Sequence, residues 1–220
     1  MKRPLLLIPF LALTAYVLTA SGLKNAAVEG IDVSRWQGSV DWSQVESGGV
    51  RFVFVKVTQG AREVDPKLKE NWAALGRTKI LRGGYHFLEP EVDGALQARH
   101  FLAHVKPASG ELIPAVDVEK AGPRLHQVLK DYLAEMKKQT GLDAIIYASP
   151  AFWNEHIAPH LEKDLTNPFW IAEYGVRTPK VAHRIGPWAI WQYTEEGRVP
   201  GIKGKVDRDR ARTLKAITVP

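Results

Sequence analysis

The chain has 220 residues, no cysteine, 45% hydrophobic residues and a formal net charge of +6. That length and apolar content suit one ordinary domain with a real core. The lack of cysteine excludes a disulfide scaffold, a thiol nucleophile and a thiolate zinc site. The positive charge favours approach to an anionic polymer, but no dense Lys/Arg run of the kind that tracks phosphates is present, so nucleic acid is not an expected partner.

The chain opens on Met1, Lys2 and Arg3, and residues 5–20 then run without a charge. The small residues Ala20, Ser21 and Gly22 follow. This is the layout of a secretory signal. The competing reading is a retained anchor through residues 4–20, although a membrane span needs roughly 20 apolar residues. On either reading residues 1–27 are set apart, and residues 28–220 form the folded domain. That domain is expected outside the cytoplasm: secreted, periplasmic or held at the outer face of the inner membrane. No long Pro or Gly/Ser linker and no fixed-period repeat divides it, and nothing suggests more than a monomer.

Short runs rich in β-branched and aromatic residues recur at 30–33, 52–57, 81–87, 112–118, 144–148, 169–172 and 188–193, with a weaker one around Val206. They are too short for helices and read as strands. Helical spacing fills 66–76, 94–105 and 123–140, and the last of these stops at Gly141. Alternation of strand and helix marks a parallel sheet. Eight such strands predict a closed α/β barrel of the TIM-like type. Short or non-helical later connections make it an irregular one.

In a parallel barrel the working face lies at the C-terminal ends of the strands. Asp32 ends the first run, Thr58 and Gln59 the second, and His86 the third. Asp117 and Glu119 end the fourth, and Tyr147 lies near the end of the fifth. Glu173 and Tyr174 follow the sixth, Gln192 ends the seventh, and Asp207 sits on the eighth.

Asp117 and Glu119 are two apart on a strand, so they share a face. Close carboxyls raise the pKa of one of them, which leaves a carboxylic acid beside a carboxylate. Glycosidic cleavage uses that arrangement. Spacing alone leaves a second reading open, a pair of exposed acids capping a loop. Too few oxygen ligands stand at a recognisable loop spacing for a hard-cation site. Asp32 either accepts backbone hydrogen bonds in a turn or, with Trp36 just beyond it, belongs to a sugar subsite. Tyr85, Tyr147, Tyr174, Trp188, Trp191 and Tyr193 offer either sugar-facing rings or core packing. His100 and His104, and His156 and His160, are spaced four apart. Neither pair carries the HExxH pattern, so both read as solvated helix faces and no metal is expected. His86 reads equally as a core histidine or a site residue. No nucleophile elbow or Gly-rich phosphate loop is present, and no cofactor is expected.

The segments GIDVSRWQG, FVFVKVTQG, GGYHFL, PAVDVE, IIYASPAFW, FWIAEYG, WAIWQY and VDRD occur in that order. Together, across about residues 29–211, they resemble the lysozymes of glycoside hydrolase family 25, the β-1,4-N-acetylmuramidases. The resemblance implies an irregular α/β barrel that cleaves peptidoglycan glycan strands between N-acetylmuramic acid and N-acetylglucosamine. It implies that Glu119 is the proton donor. Asp117 then assists, by orienting the substrate's acetamido group or by stabilising the cation. Asp32 and Asp207 match the other active-site aspartates, and Tyr85, Tyr147, Trp191 and Gln192 match sugar-contacting positions. The chain departs at Gln59, where members often carry Glu. Two other readings are a non-catalytic binder of cell-wall glycan and a chitinase-like glycosidase.

Overall fold

The computed structural model describes residues 27–180 and 182–220. The expected leader lies almost wholly outside the described residues. Among the described residues no helix is long and apolar enough to cross a membrane. In chain order the strands are β1 (Val28–Val33), β2 (Phe52–Gln59), β3 (Glu63–Val64), β4 (Leu81–Phe87), β5 (Ala115–Asp117), β6 (Ile145–Ala148), β7 (Phe169–Ala172), β8 (Trp188–Gly197) and β9 (Val206–Ala211). Eight of them close a barrel in the order β1-β2-β4-β5-β6-β7-β8-β9, with β9 returning to β1. The two-residue β3 is a small addition paired with the end of β2.

Neighbours from β1 through β8 are parallel, whereas β9 is antiparallel to both β8 and β1. The sequence predicts a parallel sheet, and the last strand departs from it for a physical reason. The connection 198–205 is too short for a parallel crossover, which needs about a dozen residues or more. Helices α1 (Trp42–Ser47), α2 (Leu68–Leu75), α3 (Gly94–His104), α4 (Leu125–Thr140) and α5 (Pro150–His156) fill the earlier connections. The short α1 and α5 escape the periodicity argument because each spans two turns or fewer. Their caps, Asp41 and Ser149, are the legible signal.

Strand alternation makes two apolar layers. Phe52, Phe54, Ala115, Ile145, Trp170, Ile190 and Ala211 fill the barrel. Val53, Val55, Ile146 and Ile171 point outward and pack with Phe101 of α3 and Val128, Tyr132 and Met136 of α4. The close approach of α3 to α4 requires Gly94, where a Cβ would lie 2.0 Å from the Val128 carbonyl oxygen. α4 ends where Gly141 takes φ 73°, a left-handed conformation that glycine adopts at little cost. Leu112 and Ile217 close the bottom, with Ile113 N–H donating to the Ile217 carbonyl at 2.8 Å. No helix separates β7, β8 and β9 in sequence. On the outer side of β8 and β9, Arg210 and Arg212 lie over the rings of Tyr193 and Trp188, at 4.2 and 4.6 Å from the ring centroids. Glu29 pairs with Arg208 and Arg210.

His86 resolves to the core reading. It is fully buried on the helix side of β4, bonded to Thr58 Oγ1 at 2.8 Å and Gln97 Oε1 at 3.0 Å, and stacked on Tyr132. Burial holds its pKa down to about 4, so the ring is neutral. His100 and His104 share α3, but His156 and His160 do not share a helix. Pro159 lies in a separate 3-10 turn, Ala158–His160, and His160 stacks on His126.

Candidate active site

The barrel mouth holds a cleft of about 290 Å³ lined by Asp32, Lys56, Tyr85, Asp117, Glu119, Tyr147, Tyr174, Gln192, Glu195 and Asp207, with Trp36, Phe87 and Trp170 among its apolar walls. Asp117 is the last residue of β5 and Glu119 stands just beyond it. Between them Val118 faces outward into the core and donates its N–H to the Tyr147 carbonyl. The i, i+2 expectation therefore holds, with both acids facing the cleft. Asp207 reaches the same mouth because β9 runs backwards. Its start lies beside the end of β1, and Asp207 pairs across from Asp32.

Four residues form one hydrogen-bonded unit. Tyr147 and Tyr174 both donate their hydroxyls to Gln192 Oε1, at 2.9 and 2.5 Å. This turns the amide nitrogen of Gln192 to Asp32, where it donates to Oδ2 at 2.8 Å. Gln192 is thus the orienter of Asp32, and the two tyrosines orient Gln192. Trp36 is 78% exposed at the rim. Its turn is fixed by reciprocal bonds between Ser34 and Gln37 and by Asp65, which accepts the Arg35 N–H at 3.0 Å. An exposed, rigidly held indole beside a polar cleft is a platform for a sugar face.

Two expected contacts stand elsewhere. Trp191 does not line the cleft. Because Gln192 faces in, its neighbour faces out, and Trp191 is buried against the outer layer with its indole N–H on the Glu173 carbonyl. Gln59 also lies outside the cleft. It accepts from Lys56 Nζ at 2.7 Å and donates to Glu89 Oε1 at 2.8 Å. Glu173 turns away toward the following loop, where it accepts the Lys180 N–H. The residues that sequence reasoning missed are Lys56, Glu195 and Asp209. Lys56 and Asp209 each had a signal, since Lys56 continues the inward series Phe52 and Phe54, and Asp209 shares the face of Asp207.

The electrostatics are dominated by carboxyls crowded in a poorly solvated place. Burial first, and then Glu119, hold the Asp117 carboxyl well above its ordinary range, against the pull of the Lys56 ammonium. Burial raises Glu119, again opposed by Lys56. Burial, then Asp209 and Asp207, raise Asp32. Asp207 is pushed up to about 6 by burial and by Glu195 and Glu119. Asp117 lines the cleft, and its Oδ1 is buried with no hydrogen-bond partner. All four carboxyls are therefore held above the ordinary range, so the mouth keeps protons to a higher pH than free carboxyls would. Among the described residues no group of three or more ligating side chains could hold a metal ion.

The raised pKa of Asp207 fixes a sign. Its contribution to stability is fully present below the unfolded value of 3.8 and is lost as pH rises through about 6. Asp207→Asn should therefore melt at a higher temperature than the parent at pH 7, with the difference closing near pH 4. Thermal unfolding followed by circular dichroism at pH 4, 5.5 and 7 checks this. A difference that widens toward acid would contradict it.

The family model for glycosyl hydrolases family 25 matches residues 31–202. The chain belongs to this family. It is 33% identical over 200 residues to Lysozyme M1 of Streptomyces globisporus, covering 84% of this chain and 68% of that protein. The bacterial lysozyme of Streptomyces coelicolor superposes with a TM-score of 0.78 at 32% identity, covering 87% of this chain and 94% of that one. A family 25 glycosyl hydrolase from Bacillus anthracis superposes with a TM-score of 0.73 at 28% identity, covering 84% and 89%.

Proposed function

We propose that this family 25 glycoside hydrolase is a lysozyme that hydrolyses the β-1,4 bond between N-acetylmuramic acid and N-acetylglucosamine in peptidoglycan. The observation that carries the reading is the pairing of buried Asp117 with accessible Glu119 in an open, aromatic-rimmed cleft. Glu119, nearer the opening, is the carboxylic acid that protonates the leaving glycosidic oxygen. Burial of its carboxyl raises its pKa, the direction a general acid requires. Asp117 lies deeper and lines the same cleft, where its carboxyl assists the reaction. Asp32 and Asp207 add negative potential where positive charge develops on the sugar. Tyr85, Tyr147, Tyr174 and Gln192 shape the sugar site, and Trp36 supports the neighbouring residue of the glycan. Gln59 acts at one remove, by holding the Lys56 ammonium.

Peptidoglycan lies outside the cytoplasm, which agrees with reading residues 1–27 as an export signal or anchor. The deciding experiment is mass spectrometry of products from defined peptidoglycan, run beside chitin oligosaccharides. Fragments with N-acetylmuramic acid at the new reducing end are expected. Turnover of chitin alone would replace the reading with a chitinase, and sedimentation with peptidoglycan without turnover would replace it with a binding protein.

A further inference from the structure

Below the mouth lies a carboxyl that the reaction as described does not use. Asp209 is completely buried in β9. Its Cα pairs with Gly30 on one side and Gln192 on the other. Trp170 donates its indole N–H to Oδ1 at 2.8 Å. The other oxygen, Oδ2, has no donor from any nitrogen or hydroxyl. What lies against it instead is the carboxyl of Asp32, which Asp207, its cross-strand partner, also touches nearer the mouth.

Among the described residues, the ion pairs of the neighbouring arginines are made with Glu29 and not with this pair. The charged groups around Asp209 are Asp32 and Glu29 on β1 and Asp207 on β9. β7 contributes only Trp170 and β8 only the neutral Gln192. Arg208 and Arg210, its neighbours in sequence, point to the other face of the sheet and are paired with Glu29. Two ionised carboxylates in contact here would be buried together without compensation, which is strongly unfavourable. Two carboxyls so placed retain one proton between them, and one donates to the other.

We propose that Asp209 is a positioning residue for the glycosidase reaction, sharing one proton with Asp32 and so locking that carboxyl beneath the substrate. Asp32 is then held from two sides, by the Gln192 amide at the mouth and by Asp209 from below. Asp209 touches no substrate. It acts by fixing the direction and the single negative charge of the residue that does. This role rests on the lysozyme reading, but the proton itself can be tested without any turnover.

The test uses Asp209→Asn in the full chain, with Asp164→Asn as the control. Asp164 is exposed and far from the cleft. Asparagine keeps an acceptor for Trp170 and offers an N–H donor to Asp32, so no shared proton is needed. Net charge at pH 7 is read by native capillary electrophoresis. Asp164→Asn should move the mobility by a full charge. Made in an Asp207→Asn background, where no second acid touches Asp32, Asp209→Asn should leave it unchanged, because the variant loses a carboxyl and its proton-sharing partner ionises. A full charge step in Asp209→Asn would overturn the proposal, whether or not the enzyme proves to be a lysozyme. On peptidoglycan, Asp209→Asn should keep kcat close to the parent. Asp209→Leu, which cannot hold Asp32, should lose about 100-fold in kcat with KM little changed, the size of effect a misplaced group produces. Equal kcat in the two variants would overturn the positioning role. Should the Leu variant fail to fold, the electrophoretic result on the Asn variant decides.

Discussion

Replacing Glu119 by Gln should lower kcat on peptidoglycan by about 10³-fold, within the range for removing a positioned general acid. KM should change little, because the amide occupies the same volume and keeps an acceptor oxygen. The fold should be intact, and at neutral pH the variant should be no less heat-stable than the parent. Burial raises the Glu119 pKa, so its ionised form is disfavoured in the folded state, and the amide removes that ionisation altogether. Loss of activity together with retained stability separates chemistry from structure. Activity within tenfold of the parent would remove Glu119 from the role of proton donor. Asp117→Asn belongs beside it. That variant removes the ionisable group of the more deeply placed acid, and should also be stable and poorly active.

The second large effect is structural. Trp170→Ala should cost about 4 kcal/mol or more, the range measured for truncating a buried aromatic. Trp170 is 2% exposed at the centre of the barrel. Its ring lies 4.7 Å from that of Phe54 and 5.1 Å from that of Tyr147, measured between centroids, with Tyr85 at 6.5 Å. Truncation opens a cavity under the cleft and strips Asp209 of its one donor. For a domain of this size a change of that magnitude lowers the melting temperature by about 10 °C. Trp170→Phe keeps a ring, loses only the N–H, and should fall between. A drop under about 3 °C for the alanine variant, outside the precision of that scaling, would show that the barrel floor does not depend on this side chain.

Much of this was legible in the sequence, for reasons that can be named. The strands of the barrel were visible as short apolar runs, because each is buried on both faces. Asp117 and Glu119 were visible because a two-residue spacing at a strand end has one geometric meaning. Asp32 and Asp207 followed from their places in adjacent runs. The direction of β9 was not visible in its residues, which read alike either way. It follows from the length of the connection before it. Trp191 and Gln192 show the limit of reading a motif as a unit. They are neighbours on a strand, so only one of them can face the cleft, and it is Gln192. Gln59 was placed at the site by the end of its strand. Regular alternation from Phe52 and Phe54 carries Lys56 to the cleft, a register irregularity follows between Lys56 and Thr58, and Gln59 beyond it bonds Lys56 and Glu89. Asp209 was hidden because a buried acid in an alternating VDRDRA run reads as a surface residue until its neighbours are known.

The reversal of β9 also settles how the domain can be held. β1 begins at the closed end of the barrel, and β9, running the other way, returns the chain to that same end, where residues 214–220 pack under Leu112 and Glu111. Both ends of the folded domain therefore leave on the side opposite the mouth. The cleft thus lies at the end of the barrel opposite residue 28, so anything fixed at residue 28 would leave it unobstructed.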